Sequence, residues 1–95
     1  MLQTVRQMII DMLQEGPTSA KEISSRVHIP EKDVFSHLEH IRKSLSHRDR
    51  HLLIEPARCR SCDFVFHKRQ RFNKPGHCPA CRGSFIEEPL FMIVT

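Results

Sequence analysis

The sequence predicts an α+β fold on three observations. Residues 2 to 46 hold three stretches whose apolar residues recur at helical spacing. Two short apolar runs, 52 to 57 and 89 to 94, stand far apart and are too short for independent helices. Between them lie four cysteines in two close pairs. Three helices followed by a two-stranded ribbon is the element order of a winged helix-turn-helix. The cysteine pairs then fall in an insertion at the tip of the wing hairpin. The expected organisation is residues 1–56 as the winged helix-turn-helix, completed by a strand at 88–95, with residues 57–87 inserted as a four-cysteine module.

Each element has a local reason. Leu2, Val5, Ile9, Met12 and Leu13 form one face of a first helix, with Gln3, Arg6, Gln7, Asp11 and Gln14 between them. Gly16-Pro17 ends it, because Gly suits a C-terminal cap and Pro cannot extend the hydrogen-bond ladder. Ser19-Ala20-Lys21-Glu22 fits a capping box, in which hydroxyl and carboxylate each satisfy an orphan amide. A second helix should run to about Val27 and bury Ala20, Ile23 and Val27. Pro30 can stand at the start of a third helix, with Ile29 and Val34 placed as a hydrophobic staple. That helix should bury Val34, Leu38, Ile41 and Leu45 and end near Ser46. Phe91, Ile93 and Val94 favour strand, and two isolated strands gain nothing unless they pair.

Composition sets the limits. Of 95 residues, 39% are apolar and 27% charged, and the six Phe are the only aromatics. That is a small globular protein with a thin core, which often needs a staple. Leu90 to Val94 is the longest apolar stretch, so no membrane span is expected. The N-terminus is interrupted by polar residues and does not read as a signal peptide. A soluble cytoplasmic protein is therefore expected, where four cysteines favour metal over disulfides.

Cys59-Arg60-Ser61-Cys62 and Cys78-Pro79-Ala80-Cys81 give C-x2-C-x15-C-x2-C. Two residues between cysteines let a tight turn aim both sulfurs at one point, and two such knuckles close a tetrahedron. Cys59, Cys62, Cys78 and Cys81 are the candidate ligands. Zinc is the first choice, since a closed set of four thiolates suits a structural ion. Iron is the alternative, because tetrahedral sulfur also suits it. Rubredoxin knuckles usually carry Gly after the second cysteine, whereas Asp63 and Arg82 stand here, which weighs against an electron carrier. His67 and His77 could replace a cysteine but are not needed once four thiolates fill the shell. His37, His40, His47 and His51 cluster around the third helix without acidic or thiol partners at matching spacing, and read as a polar face. No catalytic set and no Gly-rich phosphate loop is present, so no enzyme and no small-molecule substrate is expected.

The charge is uneven. Residues 57 to 83 hold seven basic residues against Asp63, net +6 in a chain of net +4. Four thiolates and one Zn²⁺ would lower that stretch to about +4. The remaining excess suits a polyanion. On the third helix, Lys32, Ser36, His40 and Lys43 lie opposite the apolar stripe. Ser36 and His40 can donate or accept at base edges, and the lysines can meet phosphates or guanine. Lys68, Arg69, Arg71 and Lys74 extend the candidate DNA-binding set. Glu31, Asp33 and Glu39 oppose it unless they cap the helix or contact cytosine.

The chain resembles a family of predicted prokaryotic transcriptional regulators, many archaeal, with an N-terminal winged helix-turn-helix fused to a rubredoxin-like zinc ribbon. The resemblance rests on Ser19-Ala20-Lys21-Glu22-Ile23, Ile29-Pro30-Glu31-Lys32-Asp33-Val34 and Ser36-His37-Leu38. It continues through Ala57-Arg58-Cys59-Arg60-Ser61-Cys62, Lys74-Pro75, Cys78-Pro79-Ala80-Cys81 and Ile86-Glu87-Glu88-Pro89. It implies a wing extended by the ribbon and Zn²⁺ on the four cysteines. His28 stands where such turns often place Gly. The function expected is a transcriptional regulator that binds double-stranded DNA. One alternative is an interaction module docking on a protein, such as the transcription machinery. Another is a metal- or redox-responsive protein.

Overall fold

The computed structural model describes residues 3–45, 49–67 and 71–95. Leu2, Ser46, His47, Lys68 and Arg69, all named above, lie outside the described residues. Among the described residues the architecture is α+β, with three helices and two small antiparallel sheets.

Helix α1 (Val5–Glu15) starts at Thr4, whose side chain accepts from the Gln7 N–H at 3.1 Å. It buries Ile9, Met12 and Leu13. Gly16 closes it in an extended conformation (φ 159°, ψ −178°), not in the left-handed one of the usual glycine cap. Helix α2 (Ala20–Val27) shows the hydroxyl half of the expected capping box, with Ser19 Oγ accepting from the Glu22 N–H at 3.1 Å, while the carboxylate half goes to a hydroxyl and not to an amide. The Glu22 carboxylate in turn accepts from the Thr18 hydroxyl at 2.8 Å. His28 ends the helix in the left-handed region (φ 60°, ψ 46°), its N–H directed to the Ser24 carbonyl. The position normally given to Gly thus keeps its backbone shape, which His tolerates better than most residues. Helix α3 (Glu31–Leu45) opens on the Pro30 carbonyl, which accepts from the N–H groups of Asp33 and Val34 at 3.0 and 3.2 Å. Val34, Leu38, Ile41 and Leu45 are buried along one stripe.

Five strands follow the chain order β1 (Thr18–Ser19), β2 (His51–Glu55), β3 (Arg58–Cys59), β4 (Ile86–Glu87) and β5 (Leu90–Val94). The two predicted apolar runs do pair, as β2 and β5, within one residue of the expected start and two of the expected end. Leu52 opposes Ile93 and Ile54 opposes Phe91, and this face of the pair turns to the helices. The sheet has a third strand that the sequence did not suggest. Thr18 and Ser19 pair with Phe91 and Leu90, giving the order β1-β5-β2.

The main core gathers the stripes of all three helices around Phe91, which is fully buried. One expectation fails here. Phe72 falls within residues 57–87, expected to form the inserted ribbon, yet it lies in the main core. Its ring meets Phe91 edge-to-face, centroids 5.6 Å apart, and the Arg42 guanidinium lies 6.0 Å from its centroid. A large aromatic gains more by filling the gap between helix and sheet than by joining a ribbon that cannot cover it. What remains for the ribbon is a second cluster of Ala57, Cys59, Cys78 and Ile86, with Phe66 against it.

Candidate metal centre and nucleic-acid interface

The two cysteine pairs adopt the same local shape. In the first, the Cys59 N–H donates to the Phe64 carbonyl at 2.8 Å and the Asp63 N–H to the Cys59 carbonyl at 2.9 Å. In the second, the Cys78 N–H donates to the Gly83 carbonyl and the Arg82 N–H to the Cys78 carbonyl, both at 2.8 Å. Asp63 and Arg82 occupy equivalent places and both have left-handed backbones, φ 65° and 62°. The knuckle conformation is therefore set by its hydrogen bonds even where Gly is absent. In each pair the first cysteine is buried and the second exposed.

The four sulfurs converge. Cys59 Sγ lies 3.6 Å from Cys81 Sγ, and Cys62 Sγ lies 3.5 Å from Cys78 Sγ. All four lie within 4.8 Å of one another. A tetrahedron with metal–sulfur bonds of about 2.3 Å has edges of about 3.8 Å, so the donor set fits one ion. Electrostatics agrees. Burial would raise the Cys59 thiol, but the backbone N–H groups of Cys62 and Ser61 bring it down to about 7. The Phe64 N–H favours the Cys62 thiolate, yet burial and the neighbouring thiols push that group up to about 12. The Gly83 N–H, 3.4 Å from Cys81 Sγ, acts likewise, and Cys59 and burial raise Cys81 against it. Four thiols this close cannot all ionise alone, and a dication removes the conflict. The thin apolar cluster around them makes the same demand, since it offers little else to hold the segment together.

The basic residues separate into two groups. Arg58 and Arg60 both pair with Glu87, at 3.2 and 3.4 Å, and Arg60 also lies 5.3 Å from the Phe85 ring centroid. The sequence had put Glu87 outside the basic stretch, but the β3–β4 register sets Arg58 opposite it. Lys32, Ser36, His40 and Lys43 are exposed on the outer side of α3. Glu31 and Asp33 occupy the first turn of that helix, where its dipole favours them, and Glu39 pairs with Arg42. Arg71 and Lys74 are exposed on the segment that Phe72 anchors. Two cavities lie between this segment and α3. One, of 370 Å³, has Lys21, Glu31, Lys74 and Glu88 on its walls, and the other, of 570 Å³, has Ser36, Glu39 and Arg71. Among the described residues the four cysteines are the one cluster suited to a metal, and His37, His40 and His51 do not join a second. No helix among them is long and apolar enough to cross a membrane.

A three-helix domain joined to paired cysteine knuckles around one metal-ion site defines a zinc-ribbon protein of small size. Residues 4–53 match the family model described as PF0610-like, N-terminal, and residues 56–95 match the PF0610 rubredoxin-like zinc beta-ribbon domain. The chain belongs to the PF0610-like family. It is similar to the solution NMR structure of protein PF0610 from Pyrococcus furiosus, with 35% identity and a TM-score of 0.75 over 96% of this chain and 89% of that one. No curated protein sequence matches the chain.

Proposed function

We propose that this protein is a DNA-binding transcriptional regulator. Its three helices with β2 and β5 act as a winged helix-turn-helix, residues 1–56 completed by 88–95. Residues 57–87 are a zinc ribbon inserted in the wing. The bound ion, Zn²⁺ in this reading, supplies a cross-link between four thiolates and no reaction chemistry. The protein is cytoplasmic, has no enzymatic activity and takes no small-molecule substrate. The observation that carries the reading is the outer side of α3, where Lys32, Ser36, His40 and Lys43 are all exposed opposite the buried stripe. A helix presented in this way can enter a major groove and meet base edges near its N-terminus. Arg71 and Lys74 stand beside it for phosphates.

Selection of bound sequences from random duplex DNA by metal-loaded protein tests this. Enrichment of a motif supports it, and no retardation of duplex DNA at low salt refutes it. Replacing Ser36 or His40 should relax the motif, with about 1–3 kcal/mol lost per good base contact. Visible absorption decides between zinc and iron, since an iron–sulfur centre is coloured. A second reading, docking on a protein of the transcription machinery, is favoured by Leu53, Phe64 and Phe85, exposed by 46%, 36% and 62%.

A further inference from the structure

We infer that Phe72 is the positioning residue of the nucleic-acid surface: it holds the basic segment 71–74 against α3, so that this surface is built from two elements and depends on the metal centre. The inference rests on the DNA-binding reading above.

Residues 71 to 74 read Arg-Phe-Asn-Lys, and Phe72 is the buried member among exposed neighbours. Of residues 71–74, Phe72 is the one whose side chain enters the core, so it is the segment's main apolar anchor. Phe72 inserts between α3 and β5, against Phe91, with Arg42 of α3 over its ring. The two cavities along α3 both have Phe72 in their walls, one on the side of Lys74 and the other on the side of Arg71. Open space thus flanks the anchor in both directions. Without the ring, less packing would keep Arg71 near Ser36 and Lys74 near Glu31.

The same segment leads into the second cysteine knuckle. Cys78 follows Phe72 by six residues, a reach of at most about 21 Å. Pro75, between them, is buried. Fixing Cys78 on the ion therefore limits where Phe72 can go, and seating Phe72 limits the knuckle. Metal loss should free the segment and remove its charges from the surface beside α3.

The test is the salt dependence of binding to duplex DNA. Each phosphate contact contributes about 0.9 to the slope of log K against log salt. Loss of Arg71 and Lys74 together should flatten it by about 1.8, equivalent to about 60-fold weaker binding at 0.1 M salt if affinity at 1 M is unchanged. The R71A/K74A variant should show this loss. Phe72→Ala should reproduce it with both charges still present, and R71A/K74A added to F72A should cause little further loss. Phe72→Leu, which keeps an apolar anchor, should bind nearly as the natural protein and guards against a folding defect. A wild-type slope in folded F72A, or full additivity in the triple variant, would overturn the inference. A second readout needs no DNA. Chelating the metal should shift the amide resonance of Arg42 on α3 as Phe72→Ala does, and an unchanged Arg42 resonance would refute the link between ribbon and α3. If the natural protein retards no duplex DNA, the functional reading fails, and the resonance shifts alone decide the positioning role.

Discussion

Removing the metal should weaken the β2–β5 pair by about 3 kcal/mol, and the figure follows from the topology. Strand β2 ends at Glu55 and β5 begins at Leu90, with 34 residues between them. The ribbon sets Arg58 opposite Glu87, so only two residues on each side connect it to the sheet. Without metal the cluster of Ala57, Ile86 and Phe66 is too small to preserve that closure. The strands must then close a free loop, which costs about 3 kcal/mol by the logarithmic rule. The margin of a small domain begins at about 5 kcal/mol, so the loss is serious without being complete. At about 4–8 °C per kcal/mol for a domain of this size, the midpoint should fall by about 12–24 °C. Helical circular dichroism during heating, on metal-loaded and chelated protein, measures it. The stripes of α1, α2 and α3 pack on one another, so chelated protein should still melt cooperatively from a helical state. A midpoint within a few degrees of the loaded form would show that the cysteines do not hold the ribbon. Loss of all helix with the metal would show that the ribbon belongs to the main core.

Three further outcomes are expected. Asp63→Gly and Arg82→Gly should each be neutral or stabilising by up to about 1 kcal/mol, because relief of a left-handed backbone outweighs the added chain entropy; a larger loss in the thermal midpoint of metal-loaded protein would contradict this. Ser19→Ala should cost about 1 kcal/mol in urea unfolding, because its hydroxyl caps α2. His37 accepts from Arg6 Nε of α1 at 3.2 Å, and burial together with Arg6 holds it below its ordinary 6.5, while Asp33 opposes them and His40 adds to them. The unfolded chain then binds the proton more readily, so stability should be full above pH 6.5 and fall as the pH drops through that value. His37→Gln should flatten the decline that sets in as the pH falls through 6.5, and an unchanged profile would exclude His37 as its source.

The sequence revealed the elements that announce themselves locally. Apolar steps of three and four placed α3, a Ser three residues before a Glu placed the start of α2, and two C-x2-C pairs located the metal site. It was silent where the outcome depends on distant partners. Thr18-Ser19 has no periodicity, and it becomes a strand only because Phe91 and Leu90 lie alongside. Phe72 looks the same in sequence as Phe64 or Phe66. Its place in the main core follows from the gap beside Phe91 and Arg42, which no local pattern encodes. The +6 stretch overstated the available charge for a similar reason, since Glu87 reaches Arg58 and Arg60 from the far strand of the ribbon. At the candidate interface, Lys32, Ser36, His40, Lys43, Arg71 and Lys74 are exposed as expected, but that the last two adjoin the helix was not readable.

The unequal burial of the two cysteines in each knuckle gives the centre a direction. Cys59 and Cys78 face inward, while Cys62 and Cys81 face water. A competing ligand in solution would reach a bound ion most readily from the outward side, so exchange should begin at one of the outer sulfurs. The inner two, enclosed by Ala57, Ile86 and Phe66, hold on longest. Transfer of the ion to another carrier is then stepwise, and its rate depends on the size and reach of the acceptor as well as on its affinity. A small thiol should extract the metal faster than a bulky chelator of equal strength.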